Sequence, residues 1–161
     1  KLSALLRSTL EHSGGALVTL ADELEFVRTY LDLQRVRFAD RLRVDYKVPD
    51  ECLDRETPFL LLQPLAENAI RHGLSGRTEP GTIEIDAALS NGDLVLTVSD
   101  DGQGLPAGFD LERAAGVGLS NARARLLTLY HGAASLEVRD RPGGGTIARV
   151  SIPQTSQEVS E

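Results

Sequence analysis

Residues 94–106 read LVLTVSDDGQGLP. Residues 94–99 form a buried-strand pattern that runs straight into Asp100, Asp101, Gly102 and Gly104. Three structures could place two aspartates and two glycines there: a hairpin turn, a calcium loop or the floor of a nucleotide pocket. A hairpin needs a second alternating strand directly after the turn, and Gln-Gly-Leu-Pro supplies none. A calcium loop counted from Asp101 has Glu112 at its twelfth position. Its sixth is Pro106, where glycine is required. The third reading needs a carboxylate held at a strand end, followed by glycines that let backbone approach a ligand. Asp-x-Gly-x-Gly provides both, although by itself it is equally compatible with an ordinary loop.

The flanking sequence places this strand in a mixed sheet. Residues 82–89 and 94–99 flank Asn-Gly-Asp, a hairpin signal. Residues 42–48 alternate as a half-buried strand, and two more strands near 134–139 and 146–152 flank DRPGGG. Helices are expected at 2–12, then from a capping box at Thr19 and Asp22 to about Ala39. A third is expected from Thr57-Pro58 to Gly73, and a fourth from about Leu119 to Tyr130. Pro64 lies inside the third, where proline is costly. Residues 105–116 have no clear period and read as a mobile loop. The order predicts an α/β fold: a sandwich in which helices cover one face of the sheet.

Composition removes several function classes. A net charge of −7 argues against a nucleic-acid surface, so an anionic ligand must be held by local donors. The single cysteine, Cys52, excludes an intramolecular disulfide and suits a reducing compartment. No apolar run approaches the ~18 residues of a membrane span. The chain begins at Lys1 and has no methionine, as expected of a piece of a longer protein.

Three further segments carry candidate chemistry. In QPLAENAIRHG, the Asn68 amide oxygen is a suitable Mg²⁺ ligand, and Arg71, one turn on, could reach a phosphate. The residues alone favour a plainer reading, a solvated Glu67–Arg71 ion pair at i,i+4. In GVGLSNARARL, Gly116 and Gly118 lead into a helix whose free N–H groups suit an anion, or simply start a helix. GGGT reads mainly as a glycine hairpin, with the Thr146 hydroxyl within reach of a ligand at the sheet. His12, His72 and His131 all fall at helix C-termini, where the dipole favours them.

In this fixed order, LLQPLAENAIRHG, VSDDGQG, GVGLSNARARL and GGGT resemble the catalytic ATP-binding domain of sensor histidine kinases. That superfamily also holds gyrase, MutL and the ninety-kilodalton heat-shock chaperones (the Bergerat fold). Gln63-Pro64 before Glu67-Asn68, with His72-Gly73 after, most resembles the LytS-type kinases, as does TLADELEFVRTYLDLQRVRFADRL. The resemblance spans roughly residues 2–153. It implies a two-layer α/β sandwich with a mixed, mostly antiparallel sheet, preceded by a helical segment. Residues 1–39 would be the end of a dimerisation helix plus a connecting helix, 40–153 the ATP-binding domain and 154–161 a disordered tail. Asp100 would accept from the adenine amino group, with Thr146 completing that contact. Gly102 and Gly104 would let backbone pass the nucleotide, and residues 105–115 would form the ATP lid. Asn68 would hold Mg²⁺ beside Arg71, and Gly116, Gly118 and Leu119 would line the triphosphate.

The resemblance further implies a two-component system. The γ-phosphate of ATP would pass to a histidine on an upstream dimerisation segment, then to a response regulator. The parent would be a homodimer working at the cytoplasmic face, anchored in the inner membrane. A Pro-His-Phe-type phosphoacceptor motif is absent from the sequence, so this chain alone is expected not to autophosphorylate. Two rivals share these motifs. One is a serine kinase or ATPase of the same fold, although Pro64 stands where MutL-like ATPases carry a catalytic glutamate. The other is a non-catalytic nucleotide-sensing or dimerising module.

Overall fold

A computed structural model of the chain describes residues 17–74, 76–111 and 117–154. The helix expected at 2–12, His12, Gly116, residues 112–115 of the expected loop and the tail beyond Gln154 lie outside the described residues. Along the chain run β1 (Leu17–Thr19), α1 (Leu20–Arg37), β2 (Leu42–Lys47), a 3-10 turn (Asp50–Cys52) and β3 (Glu56–Pro58). There follow α2 (Leu62–Gly73), β4 (Gly81–Ser90), β5 (Asp93–Asp100), α3 (Val117–Tyr130), β6 (Ser135–Asp140) and β7 (Thr146–Pro153).

Five strands form one sheet in the order β2-β4-β5-β7-β6, and β1 and β3 pair separately. The β2–β4 pair is parallel and the other three pairs are antiparallel, so the sheet is mixed and mostly antiparallel as expected. The β4–β5 hairpin turns on Asn91 and Gly92, both at positive φ, the geometry whose twist matches the flanking strands. Register then puts Leu94, Leu96, Val98 and Asp100 of β5 on one face, opposite Leu89, Ala87, Ile85 and Ile83. The apolar members of this face join Ala148, Val150 and Ile152 of β7 and the buried sides of α1, α2 and α3 in one core. Asp100 therefore continues an apolar row at the top of the core.

The N-cap half of the expected capping box forms: Thr19 Oγ1 accepts from the Asp22 N–H at 3.2 Å. Thr19→Ala should cost about 1 kcal/mol, read as a thermal midpoint about 2–4 °C lower. α1 ends at Arg37, not Ala39, because Ala39 and Asp40 turn to positive φ, a left-handed exit from the helix.

The start of α2 corrects the sequence reading. Thr57 and Pro58 belong to β3 and pair with Val18 and Leu17, so the helix begins at Leu62 and Thr57 is not its cap. The cap signal was local, and strand pairing with β1 overrides it. The shift also accounts for Pro64, which occupies the first turn, where backbone N–H groups have no intrahelical acceptor to lose.

Candidate functional site

Asp100 closes β5 at 1% exposure. Its Oδ1 accepts from the Gly102 N–H at 2.9 Å. Burial pushes its pKa from the ordinary 3.8 up to about 6. The Gly102 and Thr146 N–H groups pull it down, Asp101 pushes it up and Arg141 pulls it down. The register that pairs Ser99 with Ile147 brings Thr146 opposite Asp100. Thr146 is 1% exposed, and its hydroxyl has no hydrogen-bond partner among the described residues. An ionisable carboxyl and an unsatisfied hydroxyl thus sit side by side in a buried place, an arrangement that costs free energy unless a ligand or a water uses it.

Three glycines make room for this pair. A Cβ on Gly102 would lie 2.2 Å from the His72 carbonyl oxygen and 2.5 Å from Gly73 Cα. The glycine requirement at 102 thus has a reason internal to the fold, the close approach of the end of α2. A Cβ on Gly73 would come within 3.0 Å of Asp100 Cβ, and one on Gly145 within 1.9 Å of the Asp100 carbonyl oxygen. Gly104 takes φ +84. The next residue, Leu105, donates its N–H to Asp140 Oδ1 at 2.7 Å, tying the loop to the end of β6.

α2, whose last residues His72 and Gly73 pack on Gly102 and Asp100, also carries Asn68 and Arg71. Asn68 is 4% exposed, and its amide makes no hydrogen bond to another described residue. The expected Glu67–Arg71 ion pair does not form: Glu67 accepts from Gln63 Nε2 at 3.1 Å. Arg71 is exposed and makes no ion pair among the described residues. Burial, and then the Arg71 charge, hold the His72 imidazole below its usual pKa.

α3 is described from Val117, ahead of the start expected at about Leu119. A Cβ on Gly118 would lie 3.3 Å from Pro64 Cβ, so this helix start rests on the first turn of α2. The Leu119 side chain is in the core, and what it can offer a ligand is its backbone N–H. The site thus combines a buried carboxylate and hydroxyl at the sheet, an uncommitted amide and guanidinium on α2, and a helix N-terminus.

Sequence reasoning left out several residues that build this site. Asp101, given no role, accepts from the Thr82 N–H at 3.0 Å and pairs with Arg77 at 3.2 Å. Arg77 also donates to the Gly73 and Pro80 carbonyls at 3.0 Å each, pinning the exit of α2 to the end of β5. Glu23 is 2% exposed and accepts from backbone N–H groups just ahead of α2. Its signal was present: Glu23 falls on the helical stripe of Leu20, Leu24, Val27 and Leu31.

Residues 53–156 match the family model of histidine kinase-, DNA gyrase B- and HSP90-like ATPases. The chain belongs to this family. Residues 1–42 of this ATPase-family chain also match the histidine kinase model. It is 30% identical to the sensor protein LytS of Staphylococcus epidermidis over 98% of its own length and 28% of LytS. To the sensor histidine kinase YesM of Bacillus subtilis it is 36% identical, over 98% of its own length and 27% of YesM. The chain thus spans little more than a quarter of either relative. Among solved structures, the histidine kinase ThkA in complex with the response regulator protein TrrA superposes with a TM-score of 0.65. That match is at 18% identity and covers 98% of this chain and 48% of ThkA. It shows the fold expected from the sequence. No helix among the described residues is long and apolar enough to cross a membrane.

Proposed function

We propose that this chain is the ATP-binding catalytic module of a LytS-type two-component sensor kinase. The observation that carries the reading is Asp100: a buried carboxylate on the core face of the central sheet, beside an unpartnered Thr146 hydroxyl. The pair suits the exocyclic amino group of adenine, which donates one hydrogen bond to the carboxylate and leaves the hydroxyl for a bridging water. The triphosphate then runs toward the start of α3, where the Gly118 and Leu119 N–H groups and the helix dipole favour negative charge. Arg71 adds a guanidinium there.

The donor set fits Mg²⁺ in one specific way. Among the described residues no three His, Cys, Asp or Glu side chains cluster, so a protein cage is not on offer. Mg²⁺ commonly takes one or two protein oxygens and keeps its other positions for water and phosphate. The buried, uncommitted Asn68 oxygen would be such a ligand, and a cation held there would supply neutralisation of phosphate charge. Gly102 and Gly104 keep the loop after β5 close to the sheet, and residues 105–115 are the lid.

Phosphoryl transfer needs mostly positioning and charge neutralisation. The bond between the β,γ-bridging oxygen and the γ-phosphorus breaks, a phosphorus–nitrogen bond forms to a histidine of the upstream dimerisation segment, and ADP leaves. The phosphoryl group then passes to an aspartate of a response regulator. His72 is not the acceptor, since it lies in the last turn of α2 within the nucleotide site. In this reading residues 1–39 connect to the dimerisation segment and 40–153 form the ATP-binding unit. The parent is a homodimer anchored in the membrane by other segments.

Calorimetry with ATP tests the reading directly. The chain should bind ATP more tightly with Mg²⁺ than in EDTA, and Asn68→Ala should abolish that difference, a loss of about tenfold or more. Absence of ATP binding to the wild-type chain overturns the assignment.

A further inference from the structure

α2 begins without a cap of its own. Leu61, just ahead of it, makes no side-chain capping bond, and the first turn holds no acidic residue. The cap comes from another helix. Glu23 Oε1 accepts from the Leu60 N–H at 2.5 Å, and Oε2 accepts from the Leu61 and Leu62 N–H groups at 3.1 and 3.2 Å. One carboxylate thus closes the positive end of α2. Burial pushes the Glu23 pKa up, while the three N–H groups and Arg125 pull it down.

The same short segment is gripped from two other sides. Arg125 of α3 donates to the Phe59 carbonyl, and β3, just ahead, pairs with β1. Leu60 sits at φ 60, a left-handed conformation that a leucine keeps only when its surroundings hold it. Residues 59–62 are therefore a junction at which α1, α3 and the incoming strand all act on the start of α2. Asn68 lies less than two turns beyond it.

We propose that Glu23 is a positioning residue that sets the placement of α2, and through it presents Asn68 to the Mg²⁺ of ATP. α1 follows β1, the first described element, so this clamp ties the segment through which the chain enters the domain to the phosphate end of the site. A buried carboxylate is a costly cap compared with a local serine or aspartate. What it adds is a linkage between two helices that a local cap lacks. The proposal rests on the ATP reading above.

Glu23→Gln keeps the shape and one good acceptor but removes the charge. Its test combines amide hydrogen exchange without nucleotide and ATP titrations with Mg²⁺ and in EDTA. In the variant, exchange at Leu60–Leu62 should rise at least tenfold. ATP affinity with Mg²⁺ should fall about tenfold, while affinity in EDTA stays within twofold of wild type. A generally loosened fold would weaken both titrations equally, and that result overturns the proposal, as does unchanged Mg²⁺-dependent affinity. If the wild-type chain binds no ATP, the nucleotide reading falls and the proposal with it; exchange at 60–62 still shows separately whether the clamp exists. Should Glu23→Gln fail to fold, Arg125→Gln, which frees the Phe59 carbonyl, carries the same expectations and the same overturning results.

Discussion

Asp100→Asn should bind ATP about 10- to 100-fold more weakly than the wild-type chain and yet unfold at a higher temperature. A hydrogen bond to a charged group is worth about 1.5–3 kcal/mol, which sets the loss of affinity once the carboxylate becomes an amide. The gain in stability has the opposite origin. Burial raises the Asp100 pKa from 3.8 to about 6 in the folded chain, a preference of about 3 kcal/mol for the neutral form. The folded state therefore holds the proton more tightly than the unfolded chain, and stability falls as pH rises from about 4 to 6. At pH 7 the full cost is present. Asparagine removes it but brings a buried NH₂ group, so the net gain is about 2 kcal/mol, or about 4–8 °C in thermal midpoint. The advantage of the variant should vanish below pH 4, where wild-type Asp100 is neutral as well. ATP affinity of the wild type should fall as pH drops through 6, while that of the variant stays flat. A variant less stable than wild type at pH 7 contradicts this account.

Gly145→Ala should be far more damaging than Gly143→Ala, although both glycines lie in one turn and share a left-handed backbone. Their φ values are +105 and +89, and an alanine in that region costs about 1–2 kcal/mol. The positions differ in space. Nothing lies within 4 Å of a Cβ on Gly143, whereas a Cβ on Gly145 would sit 1.9 Å from the Asp100 carbonyl oxygen. That neighbour is backbone and cannot rotate away, so β5 and β7 must separate at the site. Gly143→Ala should lose about 1–2 kcal/mol in denaturant unfolding and keep ATP binding. Gly145→Ala should lose upwards of about 4 kcal/mol and bind ATP poorly even where it remains folded. Equal losses for the two variants would show that backbone strain alone decides.

Both outcomes turn on a neighbourhood the sequence displays only in pieces. Asp100 stood out because it continues a strand and precedes Gly-x-Gly, whereas Asn68 drew its expected role only from the ordered motifs that resemble a known family. Gly73 read as a helix stop and Gly145 as a hairpin glycine, and both are also the walls around Asp100. Asp101 looked idle because its partners, Thr82 and Arg77, lie far from it along the chain. The plain reading of Glu67 and Arg71 as an ion pair failed although its alternative is equally local: Glu67 instead accepts from Gln63, four residues before it.

By itself the sequence determined the five strands of the main sheet and their alternation with the helices, the Asn91-Gly92 hairpin and the Thr19 cap. These depend on residues within a few positions of one another, where φ/ψ preference and side-chain period act directly. Its ordered motifs also determined the family. Only the tertiary structure decided where α2 begins, because β1 captures residues 56–58 and Glu23 caps the helix from a distance. It alone gave Asp100 its raised pKa, since burial depends on what the chain folds over the strand end. Contacts between distant residues carry no local signal in one sequence, and in this protein they shape the site.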